Sequence, residues 1–342
     1  MIRIMEVCGT HTMAIARSGL KQLLPPEVRL ISGPGCPVCV TSQETVDSVL
    51  GLTGLKDAPV ITTYGDMLRV PGSVFGDSLL KRRALGADVR VVYSPMDALD
   101  IAANEPDRQV VFLGVGFETT APGTAAAVKA ARERNVRNFT VLSVLKRLEP
   151  SIRALAADPG FRVQGFLCPG HVAVILGEKG MRFFADDLHF PAVIAGFEPE
   201  EIMKALTLLL RDVRNGEAVL RNAYPSVVNP EGNELALELM EQVLEIRDDR
   251  WRGMGMIKES GYGLREEYAD FDAEKRFGIR AGDPVELPGC LCGEVIKGAL
   301  EPADCPAFGK GCIPDSPVGP CMVSSEGACA AAWKYSAIKA LK

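Results

Sequence analysis

The chain has 342 residues, 47% of them hydrophobic, with 10 cysteines and a formal net charge of −6. That length and apolar content suffice for two or three domains with sizeable cores, and the acidic balance argues against nucleic acid or an anionic membrane as the main partner. No apolar run approaches the roughly 20 residues of a spanning helix, and Met1-Ile-Arg-Ile-Met-Glu-Val-Cys8 lacks a secretory h-region, so a reducing, cytoplasmic setting is expected.

In chain order, short β-branched runs alternate with helical patterns, the signature of a parallel sheet covered by helices. Strands are predicted at Arg29–Ser32, Pro59–Thr63, Val89–Tyr93, Val110–Val115, Phe139–Val144, Gly165–Cys168 and Ala192–Ala195, with another short strand ahead of Cys8. Ser94-Pro95-Met96-Asp97 reads as a helix start with serine as N-cap, proline in the first turn and a following carboxylate. Glu198-Pro199-Glu200-Glu201 repeats the scheme, and Gly216 closes that helix. Thr41 with Glu44 predicts a capping box. Leu235, Leu239, Val243 and Ile246 share one face of a helical stretch, followed by a charged connector through Gly278. Ser32-Gly-Pro-Gly-Cys-Pro-Val and Phe166-Leu-Cys-Pro-Gly-His-Val echo each other after apolar strands, which suggests two similar domains. The expected architecture is α/β: two parallel-sheet domains over 1–96 and 97–225, then a helical, cysteine-rich region over 226–342 that binds an iron–sulfur cluster.

Six of the ten cysteines lie between Cys290 and Cys329, threaded with glycine and proline. In a reducing cell such a cluster points to metal or redox chemistry rather than structural disulfides, and thiolate sulfur suits iron–sulfur clusters or zinc. Other candidates stand in the turns. Gly33-Pro-Gly-Cys36-Pro-Val-Cys39 lies between a strand and a helix, where the helix N-terminus favours a reactive thiolate; half of a zinc knuckle is the blander reading. Cys8 and His11 share another turn, a thiol and an imidazole spaced to face one pocket. Gly116-Phe-Glu118-Thr119-Thr120 and Pro169-Gly-His171-Val172 end parallel strands, where ligands sit in such sheets; an N-cap with a solvated glutamate is the ordinary reading of the former. Neither a phosphate-binding P-loop nor a dinucleotide fingerprint is present, so no nucleotide cofactor is indicated.

Together, Cys8-Gly-Thr-His11, Gly33-Pro-Gly-Cys36-Pro-Val-Cys39, Gly116-Phe-Glu-Thr-Thr120, Pro169-Gly-His-Val172 and Cys321-Met-Val-Ser-Ser-Glu-Gly-Ala-Cys329 resemble the HypD family of [NiFe]-hydrogenase maturation factors, over nearly the whole chain. The resemblance implies a redox-active scaffold, rather than a conventional turnover enzyme, on which iron receives cyanide and carbon monoxide to form the Fe(CN)2CO unit. It implies two partners, a small HypC-type chaperone and a HypE-type protein that presents cyanide as a thiocyanate. By motif, Cys8 would bind the iron with a cysteine of the chaperone, His11 would assist, and Cys36 and Cys39 would form the redox pair. Glu118, Thr119, Thr120 and His171 would line a cleft between the two α/β domains. The tail further resembles the cluster region of ferredoxin:thioredoxin reductase. That likeness implies a [4Fe-4S] cluster held by Cys290, Cys305, Cys312 and Cys329 beside a Cys292–Cys321 thiol pair; Cys305, Cys312, Cys321 and Cys329 form an alternative ligand set. Met13 stands where the family commonly has a second histidine, and Ser42 where a proline is usual, a position from which serine can still cap a helix. A stand-alone thiol–disulfide oxidoreductase is the competing function.

Overall fold

The computed structural model describes residues 1–279, 282 and 287–336. Its strands, in chain order, are β1 (Ile2–Glu6), β2 (Val28–Ser32), β3 (Val60–Thr63), β4 (Val89–Val91), β5 (Val110–Gly116), β6 (Phe139–Lys146), β7 (Gly165–Pro169), β8 (Ala192–Ala195), β9 (Leu220–Asn222), β10 (Leu244–Trp251) and β11 (Gly255–Leu264). Every strand expected from the apolar runs is present. The chain separates into two compact units.

The first unit comprises Met1–Val40, Leu148–Glu234 and the chain from Gly289 onward. Its sheet is wholly parallel, in the order β2-β1-β7-β8-β9. Ile4, Leu30, Leu167 and Val193 point from this sheet into a core completed by Ile15 and by Ile202, Leu206 and Leu209 of helix Pro199–Asn215. Glu198 is its N-cap, as expected, in a capping box with Glu201, and the helix ends at Gly216 in the left-handed region, φ 69°. Its apolar residues recur at helical spacing, so the packing of one stripe drives its formation.

The second unit comprises Thr41–Arg147 and Leu235–Pro288. Its sheet runs β10-β11-β6-β5-β3-β4, parallel among β3 to β6 and antiparallel where the β10–β11 hairpin joins the edge of β6. All residues of β5 and β6 are buried, as strands covered on both faces must be. Ser94 caps helix Pro95–Asn104 in a capping box with Asp97, as expected.

Four expectations are revised. The units do not follow the contiguous segments 1–96, 97–225 and 226–342, because the chain leaves the first sheet after Val40, builds most of the second, and returns at Leu148. Parallel neighbours need long crossovers, and here one crossover is nearly a whole unit. The helix expected through Ile246 stops at Val243: it buries Ala236, Met240 and Val243, leaves Leu235 exposed, and passes directly into β10, where Ile246 faces solvent. The supposed charged connector is largely the β10–β11 hairpin, whose pairing with β6 overrides its weak local strand composition. Finally, the N-cap of helix Gln43–Leu52 is Ser42, not Thr41; its Oγ accepts from the Thr45 N–H at 3.4 Å.

Candidate functional site

β1 and β2 run side by side, and the two cysteine motifs leave their carboxyl ends together. Cys8 is the N-cap of helix Gly9–Ser18, and the Gly9 N–H donates to the Gly35 carbonyl at 3.1 Å. A Cβ on Gly35 would run into the backbone of Val7 and Cys8, so glycine is what allows the second loop to lie on the first. Cys36 immediately precedes the short helix Pro37–Val40, which contains Cys39, and the two cysteines are joined by a disulfide. The pair lies just upstream of the helix at Gln43, as expected, with Cys39 already inside a short helical turn that Pro37 starts.

Burial raises the Cys8 thiol to about 11, aided by the Glu326 carboxylate and opposed by backbone N–H groups of His11 and Thr10. Here desolvation outweighs the helix terminus. His11 is fully buried; its Nε2 lies 2.8 Å from the Gly196 carbonyl, and burial pulls its pKa to about 4, so the ring is neutral and Nδ1 holds the lone pair. Its ring stacks on Phe197 at 4.8 Å, and the exposed His171 stacks on the same phenylalanine at 4.0 Å. His189 lies elsewhere with φ 58°, at an exposed turn.

The cysteine-rich tail packs within this same unit. Helix Ala328–Ser336 lies against helix Gly9–Ser18, and Arg3 of β1 donates to the Gly298 carbonyl at 2.9 Å. The Thr10 hydroxyl donates to the Glu326 carboxylate at 2.6 Å, and the Ser324 hydroxyl lies 3.4 Å from Cys36 Sγ. The segment between Cys321 and Cys329 thus touches both motif loops. The sequence assigns no role to Thr10, Ser324 or Glu326, although the Ser-Ser-Glu triplet between Cys321 and Cys329 is a visible signal.

Cys290, Cys292, Cys305, Cys312 and Cys329 line one cavity with Val295, Phe308, Val318 and Met322. Cys321 does not line it but hydrogen-bonds to Cys292 and Cys329. Hydrogen bonds with Cys290 and then Cys321 draw Cys292 down, those with Cys292 and Cys321 draw Cys329 down, and those with Cys292 and Cys329 push Cys321 up. The Val318 N–H donates to Cys312 Sγ at 3.3 Å, and a Cβ on Gly319 would collide with the sulfurs of Cys290 and Cys292. Among the described residues no three His, Cys, Asp or Glu side chains converge to hold a single metal ion. The donor set fits a sulfur-ligated cluster in its chemistry: soft sulfurs, backbone N–H support and an apolar wall.

Glu118, Thr119 and Thr120 belong to the second unit. They follow β5 in a tight turn, where a Cβ on Gly116 would strike Thr120, and the Thr120 hydroxyl donates to the Phe117 carbonyl at 3.3 Å. Glu118 is only 2% exposed, so the reading of a solvated glutamate fails, and Thr120 takes the N-cap position of helix Ala121–Glu133. Thr119 is exposed.

The fold and the thiols define a two-unit α/β protein built to bring separated cysteine motifs into one unit. Residues 1–336 match the family described as HypD, hydrogenase formation hypA family. The hydrogenase maturation factor HypD of Rhodobacter capsulatus is 44% identical, over 99% of this chain and 90% of its own length. The corresponding factor of Rhizobium leguminosarum bv. viciae is 45% identical over 97% and 87%, and that of Escherichia coli K12 is 43% identical over 98% and 89%. The chain belongs to the HypD family of hydrogenase maturation factors. That membership does not favour a stand-alone thiol–disulfide oxidoreductase. No helix of the described residues is long and apolar enough to cross a membrane.

Proposed function

We propose that this maturation factor is the scaffold on which the iron of a [NiFe]-hydrogenase receives its cyanide and carbonyl ligands. One observation carries the reading: Cys8, the Cys36–Cys39 pair and the cysteine-rich tail meet in one compact unit through Ser324 and Glu326. The iron being decorated is the cargo. Cys8 would hold it together with a cysteine of a HypC-type chaperone, and a HypE-type partner would bring cyanide as a thiocyanate.

The residues of this chain have separable tasks. Cys8 is a neutral thiol in the resting protein, with Glu326 beside it held by Thr10, so taking up iron requires loss of the thiol proton. His11, neutral and anchored through Gly196, presents a fixed imidazole to the same region without adding charge. Cys290, Cys305, Cys312 and Cys329 would hold a [4Fe-4S] cluster, with Cys292 and Cys321 in mutual contact as the adjoining thiols. When bound, such a cluster supplies single electrons beside thiol pairs that exchange two. Release of cyanide from a thiocyanate consumes two electrons and leaves a thiolate on the donor, which is why a carrier of cyanide ligands needs redox thiols nearby. His171, in the same unit and stacked on the Phe197 that His11 also touches, would border the ligand-bearing region.

The test is anaerobic co-purification with the small chaperone, followed by infrared spectroscopy of metal-bound cyanide and carbonyl together with iron and sulfide analysis. Bands with cluster iron and sulfide support the scaffold. A cluster without bands would overturn it.

A further inference from the structure

The two sulfurs of the Cys36–Cys39 pair are not equivalent. Cys36 Sγ receives the Cys39 backbone N–H at 3.1 Å and faces the Ser324 hydroxyl at 3.4 Å. A disulfide sulfur has no proton to give, so at this contact the hydroxyl is the donor. Ser324 is itself 2% exposed, and its Oγ accepts the Glu326 N–H at 3.2 Å, which holds the hydroxyl in place. Among the described residues no comparable donor is directed at Cys39 Sγ.

We propose that Ser324 is a positioning residue that makes Cys36 the thiolate of the reduced pair and thereby sets the redox poise of Cys36 and Cys39 from the cysteine-rich tail. Hydrogen bonds to a charged acceptor are stronger than those to a neutral one. The two donors therefore gain most when the S–S bond opens and negative charge settles on Cys36. Reduction by a dithiol is balanced as follows: the Cys36–Cys39 bond breaks, Cys36 becomes a thiolate, and Cys39 takes one proton. The reductant gives two electrons, closes to its own disulfide and releases its other proton to solvent. Because Ser324 stands between Cys321 and Cys329, the tail that carries the clustered thiols also supplies the donor that tunes the pair. The inference rests on the reading of Cys36 and Cys39 as a redox pair.

The experiment equilibrates the full chain, prepared anaerobically, with dithiothreitol buffers and quantifies the pair by mass spectrometry after alkylation. Ser324→Ala is expected to shift the equilibrium about tenfold toward the disulfide, which corresponds to about 30 mV. Ser324→Thr, which keeps the hydroxyl, is expected to restore it. In the reduced wild-type chain, iodoacetamide at neutral pH is expected to label Cys36 before Cys39, a readout that does not depend on any variant. An equilibrium within twofold of wild type in Ser324→Ala, a shift that Ser324→Thr leaves uncorrected, or first labelling at Cys39 would each overturn the inference while leaving the redox pair intact. A wild-type pair that never closes under oxidising buffers would defeat the redox reading itself, and this inference with it.

Discussion

The sheet of the second unit and the cysteine-rich tail of the first are held together by different physics. β5 and β6 bury every side chain, including Phe112 and Phe139 at 0% exposure, so apolar burial and a continuous parallel ladder account for them. Among the described residues the tail from Gly289 has no strand and no helix longer than Ala328–Ser336, and it is drawn together by sulfur contacts, tight turns and glycines such as Gly319 and Gly327, where a Cβ would meet cysteine atoms. The composition of the tail brings thiols together, while that of the sheet serves packing.

The strongest test of this contrast is Cys8→Ala. Under the proposed function it should abolish the cyanide and carbonyl infrared bands of the complex with a HypC-type chaperone while leaving the iron of the proposed tail cluster unchanged, and retained bands would remove Cys8 from its proposed role. Phe112→Ala should cost about 3–5 kcal/mol of stability in chemical denaturation, the usual range for truncating a buried phenylalanine, with no change of iron in the soluble fraction. A smaller effect concerns pH. His11 is neutral in the fold with a pKa near 4 against an ordinary value of 6.5, so the unfolded chain binds more protons between those values. Its contribution to stability is present above about pH 6.5 and is lost as pH falls toward 4, by up to about 3 kcal/mol. Denaturation of His11→Phe across that range should show a flatter pH dependence than wild type, and identical slopes would refute the assignment.

Gly319→Ala sharpens the comparison from the other side. Its Cβ would press on the sulfurs of Cys290 and Cys292, so iron content and visible absorbance should fall, while global stability changes by about 1 kcal/mol or less. The smallest effect belongs to the surface. The Asp88 carboxyl is held near 2 by hydrogen bonds from Arg90 and Arg108, and its contribution is present above about pH 4 and lost as pH falls through that range. Because the group is partly exposed and screened by solvent, Asp88→Asn should cost under about 1 kcal/mol at neutral pH in denaturant titration, and a larger loss would mean the network is less screened than its exposure indicates.

Much of this was legible beforehand, for identifiable reasons. β5 announces itself as Val110-Val-Phe-Leu, and Ser94-Pro95 and Glu198-Pro199 mark helix starts, because these signals act through bonds within a few residues. The β10–β11 hairpin was not legible, since Glu245-Ile-Arg-Asp-Asp-Arg250 has no strand pattern of its own and depends on β6 for its pairing. Ser42 displaced Thr41 as cap for a related reason: Thr41 is drawn into a bridge with Trp251, and its carbonyl accepts from Arg252 at 3.0 Å.

What the amino-acid sequence determined by itself was the chemical inventory: thiols in turns after apolar strands, a cluster of six cysteines among glycines, and an order of motifs that belongs to one family. Those are properties of residue type and short spacing. Only the tertiary structure decided that Cys8, Cys36 and the tail share a unit, that Cys8 and His11 are driven toward neutrality, and that Ser324 faces Cys36 across 288 residues of chain. Desolvation and hydrogen bonding depend on neighbours in space, and here those neighbours come from opposite ends of the sequence.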